Sequence, residues 1–254
     1  MTSLGSRTSP EVRDERPVVL VPLGSTEQHG PHLPLDTDTR IAVGISEHAS
    51  SIVGCELPFP GLPFPVHVAP AVAYGASGEH QGFAGTLSIG QDALERVVLE
   101  LGRSAGDDYR LVVFVNAHGG NAEPLGRARA TLEHEGRPVL VWSPGPISPA
   151  ATDSAAATDP ATDSHAGRIE TSVLLALAPE VVHLDRAQAG VTIPLPELLD
   201  DLRAGGLVAV TANGVLGDPT GASAEEGRAI LAGWARALAD AITAGLARLP
   251  AGGA

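Results

Sequence analysis

Two short β-branched runs constrain the fold of this chain more than any other feature. Pro17-Val-Val-Leu-Val-Pro-Leu23 and Arg110-Leu-Val-Val-Phe-Val-Asn116 are almost continuously apolar, and each opens into a Gly-rich polar loop that carries histidine. A strand without polar alternation has to be covered on both faces, as in a parallel sheet lying between helices. The intervening sequence supplies those helices. Helical periodicity is read at about Thr39–Val53, at Gln91–Gly102 with Leu94, Val97, Val98 and Leu101 on one face, and at Glu123–Glu135. Further strands are expected at Val66–Ala73 and Pro138–Trp142. Strands alternating with helices give an α/β fold with a mainly parallel sheet.

In such sheets ligands sit beyond the carboxyl ends of the strands. The loops after Leu23 and Val115 both leave from those ends, so they can meet although about 90 residues separate them. Residues 143–166 form a low-complexity Pro/Ala/Ser/Thr/Asp stretch, expected to be either disordered or a functional loop such as a lid. A helix is expected to begin within His165–Ser172 and run to about Ala178, and an Ala-rich amphipathic helix spans about Ala222–Leu249. Residues 1–16 read as a flexible leader, and 17–254 as a single catalytic domain without repeats.

Composition narrows the chemistry. All 16 basic residues are Arg. Without lysine there is no Schiff-base anchor for pyridoxal phosphate and no P-loop lysine. A net charge of −14 disfavours phosphate backbones, so no nucleic-acid partner is expected. The single cysteine, Cys55, rules out an intramolecular disulfide and a Cys-based zinc cluster. The N-terminal stretch has no apolar core of a signal peptide, and no run of 18 uninterrupted apolar residues follows it. The expectation is a soluble cytoplasmic protein with no membrane partner.

Catalysis then falls to carboxylates and imidazoles. Among nine histidines, those at 29, 32, 80, 118 and 165 lie in Gly/Pro-rich segments near strand ends or a helix start. His48 and His134 read as solvated residues, and His67 and His183 as structural ones. Glu27 and His29 stand two apart, so in extended backbone both project to one side. Asp36 and Asp38 follow a Pro-rich turn. Carboxylates with neutral imidazoles suit Zn²⁺, Mn²⁺ or Fe²⁺, and a carboxylate can bridge two such ions. The spacing equally admits a turn that caps the following helix. His118 in Asn116-Ala-His-Gly-Gly-Asn121 is either a ligand or a polar turn residue. Glu170, five residues after His165, is either functional or a complement to a helix dipole. No H-E-x-x-H, G-x-S-x-G, G-x-x-x-x-G-K or CxxC is present.

Four segments in order, Gly24–Asp38, Glu79–Ser88, Asn116–Asn121 and His165–Ser172, resemble the creatininase family over roughly residues 17–185. The resemblance implies a three-layer α/β/α sandwich, a centre of two divalent metal ions per subunit (Fe²⁺, Zn²⁺ or Mn²⁺), hydrolysis of C–N amide bonds and commonly a homohexamer. It implies Glu27, His29, Asp38 and His118 as ligands, with Asp38 bridging. Creatininase has a metal-binding Glu two residues beyond the equivalent of His118, where this chain has Gly120. Glu170 is expected to replace it and to act in catalysis. His165 is expected to contact substrate or the developing oxyanion, and His32 and His80 to line or back the pocket. The uninterrupted first motif is similar to family members that trim a modified precursor peptide during redox-cofactor biosynthesis, releasing C-terminal residues. A small cyclic-amide or formamide hydrolase and a metal-binding scaffold without turnover are the alternatives.

Overall fold

The computed structural model describes residues 3–55, 64–145 and 162–249. Four strands, β1 (Val18–Leu23), β2 (Val66–Val68), β3 (Leu111–Asn116) and β4 (Val139–Trp142), pair in the order β2-β1-β3-β4, all parallel. The period-two geometry of a strand divides its side chains between two cores. Val18 and Leu20 of β1 and Leu111, Val113 and Val115 of β3 point to one side. There they meet α2 (Thr37–Cys55), α5 (Arg168–Leu177) and α7 (Ala224–Ala247). Val19, Val21, Leu23, Val112 and Phe114 point to the other side, against α3 (Gln91–Ser104) and α4 (Ala122–His134). This is the expected three-layer α/β/α sandwich, and it explains why β1 and β3 tolerate no polar alternation. Although α7 is long and apolar enough to cross a membrane, its Ile230, Trp234, Leu238 and Ile242 are buried in the first of these cores.

Several expectations are corrected. The second strand stops at Val68 because Pro70 has no N–H to donate; the chain rejoins β1 only at Val72, whose N–H donates to Pro22 O at 2.9 Å. On α3 the buried stripe is Leu94, Val98, Leu99 and Gly102, whereas Val97 and Leu101 are exposed. Within the expected flexible leader, residues Ser9–Glu15 form a helix, α1. Its first turn is closed by Thr8 N–H donating to Glu11 Oε2 at 2.7 Å. Its Glu15 accepts from the buried His67 ring at 2.7 Å, giving His67 its structural role. An additional helix, α6 (Leu195–Gly205), lies where no element was expected, with Leu198 buried against Leu207 and Leu216. Most of the low-complexity stretch, including any lid, lies outside the described residues.

Candidate metal centre

Three segments meet at the carboxyl end of β1 and β3. The first loop turns back tightly: a Cβ on Gly24 would lie 2.4 Å from Thr39 N, so the loop after β1 rests on the start of α2. Glu27 and His29 are thereby brought to Asp38 in the first turn of α2. The second segment is fixed by its two asparagines. Asn116 Nδ2 donates to His118 O at 2.8 Å, shaping the turn that presents His118. Asn121 accepts from Ala76 N–H at 2.8 Å and donates to Gly24 O at 3.0 Å, tying three loops together.

The third segment leads into α5, whose first N–H groups, on Arg168 and Ile169, donate to Asp163 at 3.0 and 2.8 Å. Burial raises the Asp163 pKa to about 6 against those donors. Between His165 and Gly167, Ala166 takes φ 53°, a left-handed conformation that a residue with Cβ adopts at a cost. That turn aims its N–H at Glu170 Oε2, 2.6 Å away. His165 is held in place by backbone bonds to Leu216 in both directions.

The assembled side chains are almost wholly buried: Glu27 and His29 are 0% exposed and Asp38 1%. His29 Nε2 is 3.0 Å from Asp38 Oδ1 and 3.9 Å from Glu170 Oε2. His118 Nδ1 is 3.3 Å from Asp38 Oδ2 and 3.2 Å from Glu27 Oε1. Asp38 thus turns one oxygen to each imidazole. His80 Nε2 and His165 Nδ1 approach the same Glu27 oxygen at 3.3 and 3.8 Å. Despite these neighbours, both oxygens of Glu27 and Oδ2 of Asp38 have no aligned hydrogen-bond donor. Buried carboxylate oxygens without donors are costly unless a cation takes their lone pairs. Three overlapping groups place donor atoms close enough to share an ion: Glu27, His29 and Asp38; His29, His165 and Glu170; Glu27, His80 and His165. The donor set therefore fits divalent metal.

Hydrogen bonding assigns the ring protons. His165 Nε2 lies 2.9 Å from Gln28 O, which can only accept, and 3.0 Å from the Gln28 amide nitrogen; the carbonyl favours the proton on Nε2, with Nδ1 then a lone pair facing the carboxylates. The Gln28 side-chain amide donates to Gly214 O at 3.0 Å and to His80 Nδ1 at 3.2 Å, which puts the His80 proton on Nε2, toward Glu27. Burial, aided by the charge of His29, keeps His165 neutral, well below the usual histidine range, and burial likewise lowers His80 to about 3. Burial opposes charge on His29 too, but Asp38, Glu170 and Glu27 outweigh it and raise that ring to about 9. His118 is raised in the same way, chiefly by Glu27. Burial resists ionisation of Asp38, yet His29 and His118 hold it well below the usual carboxylate range. Glu27 is pushed up by burial and by the charge on Asp38. Burial raises Glu170 to about 7.

Of the residues expected from sequence, Glu27, His29, Asp38, His118, His165, Glu170 and His80 converge here. His32 does not. It is buried behind the site with Nε2 donating to Thr171 Oγ1 at 2.9 Å, and burial lowers it to about 4. Asp36 pairs with Arg40 Nε at 2.7 Å, away from the cluster. Sequence reasoning missed Gln28, the two asparagines as clamps, and Glu79. A Cβ on Gly120 would fall 2.5 Å from Glu79 Oε1, 2.6 Å from His118 Nε2 and 2.4 Å from Ala76 O. The Glu79 carboxylate, 3.6 Å from His118 Nε2, occupies the space where a side chain at 120 would begin. Two carboxylates lie near these rings: Glu170 beside His29, and Glu79 beside His118 Nε2, the ring nitrogen away from Glu27 and Asp38.

The centre opens into a cavity of about 470 Å³ lined by His80, His118, His165 and Glu79 and by Leu195, Leu199 and Leu202 of α6. The creatininase profile, described as creatinine amidohydrolase, matches residues 5–242. A mycofactocin precursor peptide peptidase from Mycobacterium tuberculosis is 50% identical over 232 residues, covering 90% of this chain and 86% of its own length. A creatinine amidohydrolase from Pseudomonas putida is 28% identical over 244 residues, covering 89% and 88%. Among solved structures, a manganese creatininase superposes with TM-score 0.74 at 26% identity, covering 96% of this chain and 98% of its own.

Proposed function

Because this chain belongs to the creatininase family, a family of metal-dependent amidohydrolases, we propose that it is a peptidase that releases C-terminal residues from a modified mycofactocin precursor peptide. The observation that carries the metal dependence is the buried pair Glu27 and Asp38, whose orphaned oxygens face imidazoles across gaps that a cation fits. Glu27, His29, Asp38, His118 and Glu170 would hold a pair of divalent ions. When bound, such ions polarise an amide carbonyl and lower the pKa of water.

The chain's own groups supply the rest. His165, neutral and with an unprotonated Nδ1 turned to the carboxylates, can take a proton there and return it to the departing amine. The Gln28 carbonyl favours that tautomer by holding the Nε2 proton. Glu170, raised to about 7, can exchange a proton near neutral pH. Closely packed imidazoles at 29, 80 and 165, with ring centroids 4.4 and 4.5 Å apart, leave little room for bulk water behind the reacting bond.

The peptide reading rests on the 50% identity to a precursor peptidase and on a cavity that admits more than one residue. Its test is incubation of the Mn²⁺-, Zn²⁺- or Fe²⁺-loaded protein with the modified precursor peptide and, separately, with creatinine. Truncation of the peptide at its C-terminus with creatinine untouched is the expected result. Creatinine hydrolysis without peptide cleavage would instead support a small cyclic-amide hydrolase.

A further inference from the structure

Helix α5 carries Glu170 in its first turn, yet its N-cap, Gly167, has no side chain to receive the first N–H groups. Asp163, four residues earlier, takes that part. Its Oδ1 accepts from Arg168 N–H at 3.0 Å and its Oδ2 from Ile169 N–H at 2.8 Å. The carboxylate is buried and the chain is shaped around it: a Cβ at Gly167 or at Gly217 would overlap its Oδ1. The adjacent Arg168 guanidinium is held by Glu226 at 2.8 Å, which leaves both Asp163 oxygens to the backbone. Between Asp163 and the N–H groups it holds lie His165 and the left-handed Ala166, whose own N–H meets Glu170 Oε2 at 2.6 Å. Asp163 thereby closes residues 163–169 into a loop at the edge of the centre. His165 and Glu170 share one group of donor atoms with His29, whereas Asp163 belongs to none of the three groups that could share an ion.

We propose that Asp163 is a positioning residue for the metal centre, acting on Glu170 through the backbone at the start of α5. Two consecutive N–H groups held on one carboxylate fix where the first turn begins, and Glu170 stands in that turn. Its approach to His29 Nε2, 3.9 Å, is set by that turn and by the Ala166 N–H. A ligand fixed by its supporting shell binds metal more tightly than one that must be ordered on binding, because its freedom is already lost before the ion arrives. The proposal rests on the reading of Glu170 as a ligand, and it gives Asp163 no contact with metal or substrate.

The test is a double-mutant cycle on Mn²⁺ affinity, read by competition with a chromophoric chelator, for wild type, Asp163→Asn, Glu170→Gln and the double variant. Asparagine fills the same space and keeps one acceptor oxygen, but turns a donor toward one of the two N–H groups. Asp163→Asn is expected to weaken Mn²⁺ binding about tenfold or more. Glu170→Gln is expected to weaken it as well, and the double variant to bind no more weakly than Glu170→Gln, since both changes act through one group. Asp163→Ser, which keeps one oxygen on a shorter side chain, should match Asp163→Asn. Wild-type affinity in Asp163→Asn, a further loss in the double variant, or failure of both Asp163 variants to fold by circular dichroism would overturn the positioning role. Wild-type affinity in Glu170→Gln defeats the ligand reading and the positioning role with it, whereas a weakened Glu170→Gln beside an unchanged Asp163→Asn defeats the positioning role alone. Cleavage of the precursor peptide by wild type is scored separately and decides the peptidase reading.

Discussion

Replacing Glu27 by Gln should stabilise the metal-free protein and remove its response to metal. Glu27 is fully buried, neither of its oxygens has an aligned donor, and the negative charge of Asp38 lies beside it. Its folded pKa is raised, first by burial and then by Asp38. A raised carboxylate pKa means that stability is lost as pH rises from the unfolded value through the folded one. Gln keeps the shape and removes the charge. An unsatisfied buried polar group costs about 1–3 kcal/mol, and the amide still needs partners, so a gain of about 1–2 kcal/mol is expected. For a chain of this size that corresponds to about 2–8 °C in Tm. Saturating metal stabilises wild type by about 4 kcal/mol when its concentration is about 1,000 times Kd. The variant loses most of that. Thermal melts with chelator and with Mn²⁺ or Zn²⁺ should therefore reverse the ranking: variant above wild type without metal, wild type above variant with it. A metal-free variant less stable than wild type, with an undiminished metal shift, would refute the argument.

Metal affinity should rise with pH between about 7 and 9, because Glu170 at about 7 and His29 at about 9 must both lose protons to act as ligands. Competition titrations against a chromophoric chelator measure this, and a flat or falling profile would count against both residues as ligands. Gly120→Ala puts a methyl group against Ala76 O, Glu79 and His118, costing about 1–3 kcal/mol and displacing His118. Gly119→Ala meets nothing within 4 Å and should melt like wild type; identical melts for both variants would dismiss the crowding argument. Glu15→Ala removes the carboxylate held by buried His67 and should cost about 1–3 kcal/mol in chemical unfolding, whereas a dispensable leader predicts no change.

The sheet was legible because β1 and β3 are apolar on both faces, a pattern that only a doubly covered strand requires. The meeting of the two histidine-bearing loops was legible because parallel strands present their loops at one end, whereas the set Glu27, His29, Asp38 and His118 came from the family resemblance. Glu79 was not: its carboxylate matters because of the space against Gly120, and that space exists only once the loops around residues 76 and 120 are packed together. The polar composition of residues 1–16 hid α1, whose anchor at Glu15 is a buried histidine 52 residues away. Pro194 and Pro196 interrupt the pattern where α6 begins, and its leucines face a cavity as well as a core, so its periodicity had no single partner to reveal it. His32 shared the local signals of a pocket residue, but the turn at Gly30, with φ 63°, sends it behind the site to Thr171.

The most direct measurement is cleavage of the modified precursor peptide by wild type, Asp38→Ala and His118→Ala, each with its bound metal quantified and its fold checked by circular dichroism. The account predicts folded variants that retain little metal and cleave no peptide, while wild type cleaves only when metal-loaded. Full cleavage by the Asp38 variant, or by chelator-treated wild type, would contradict it.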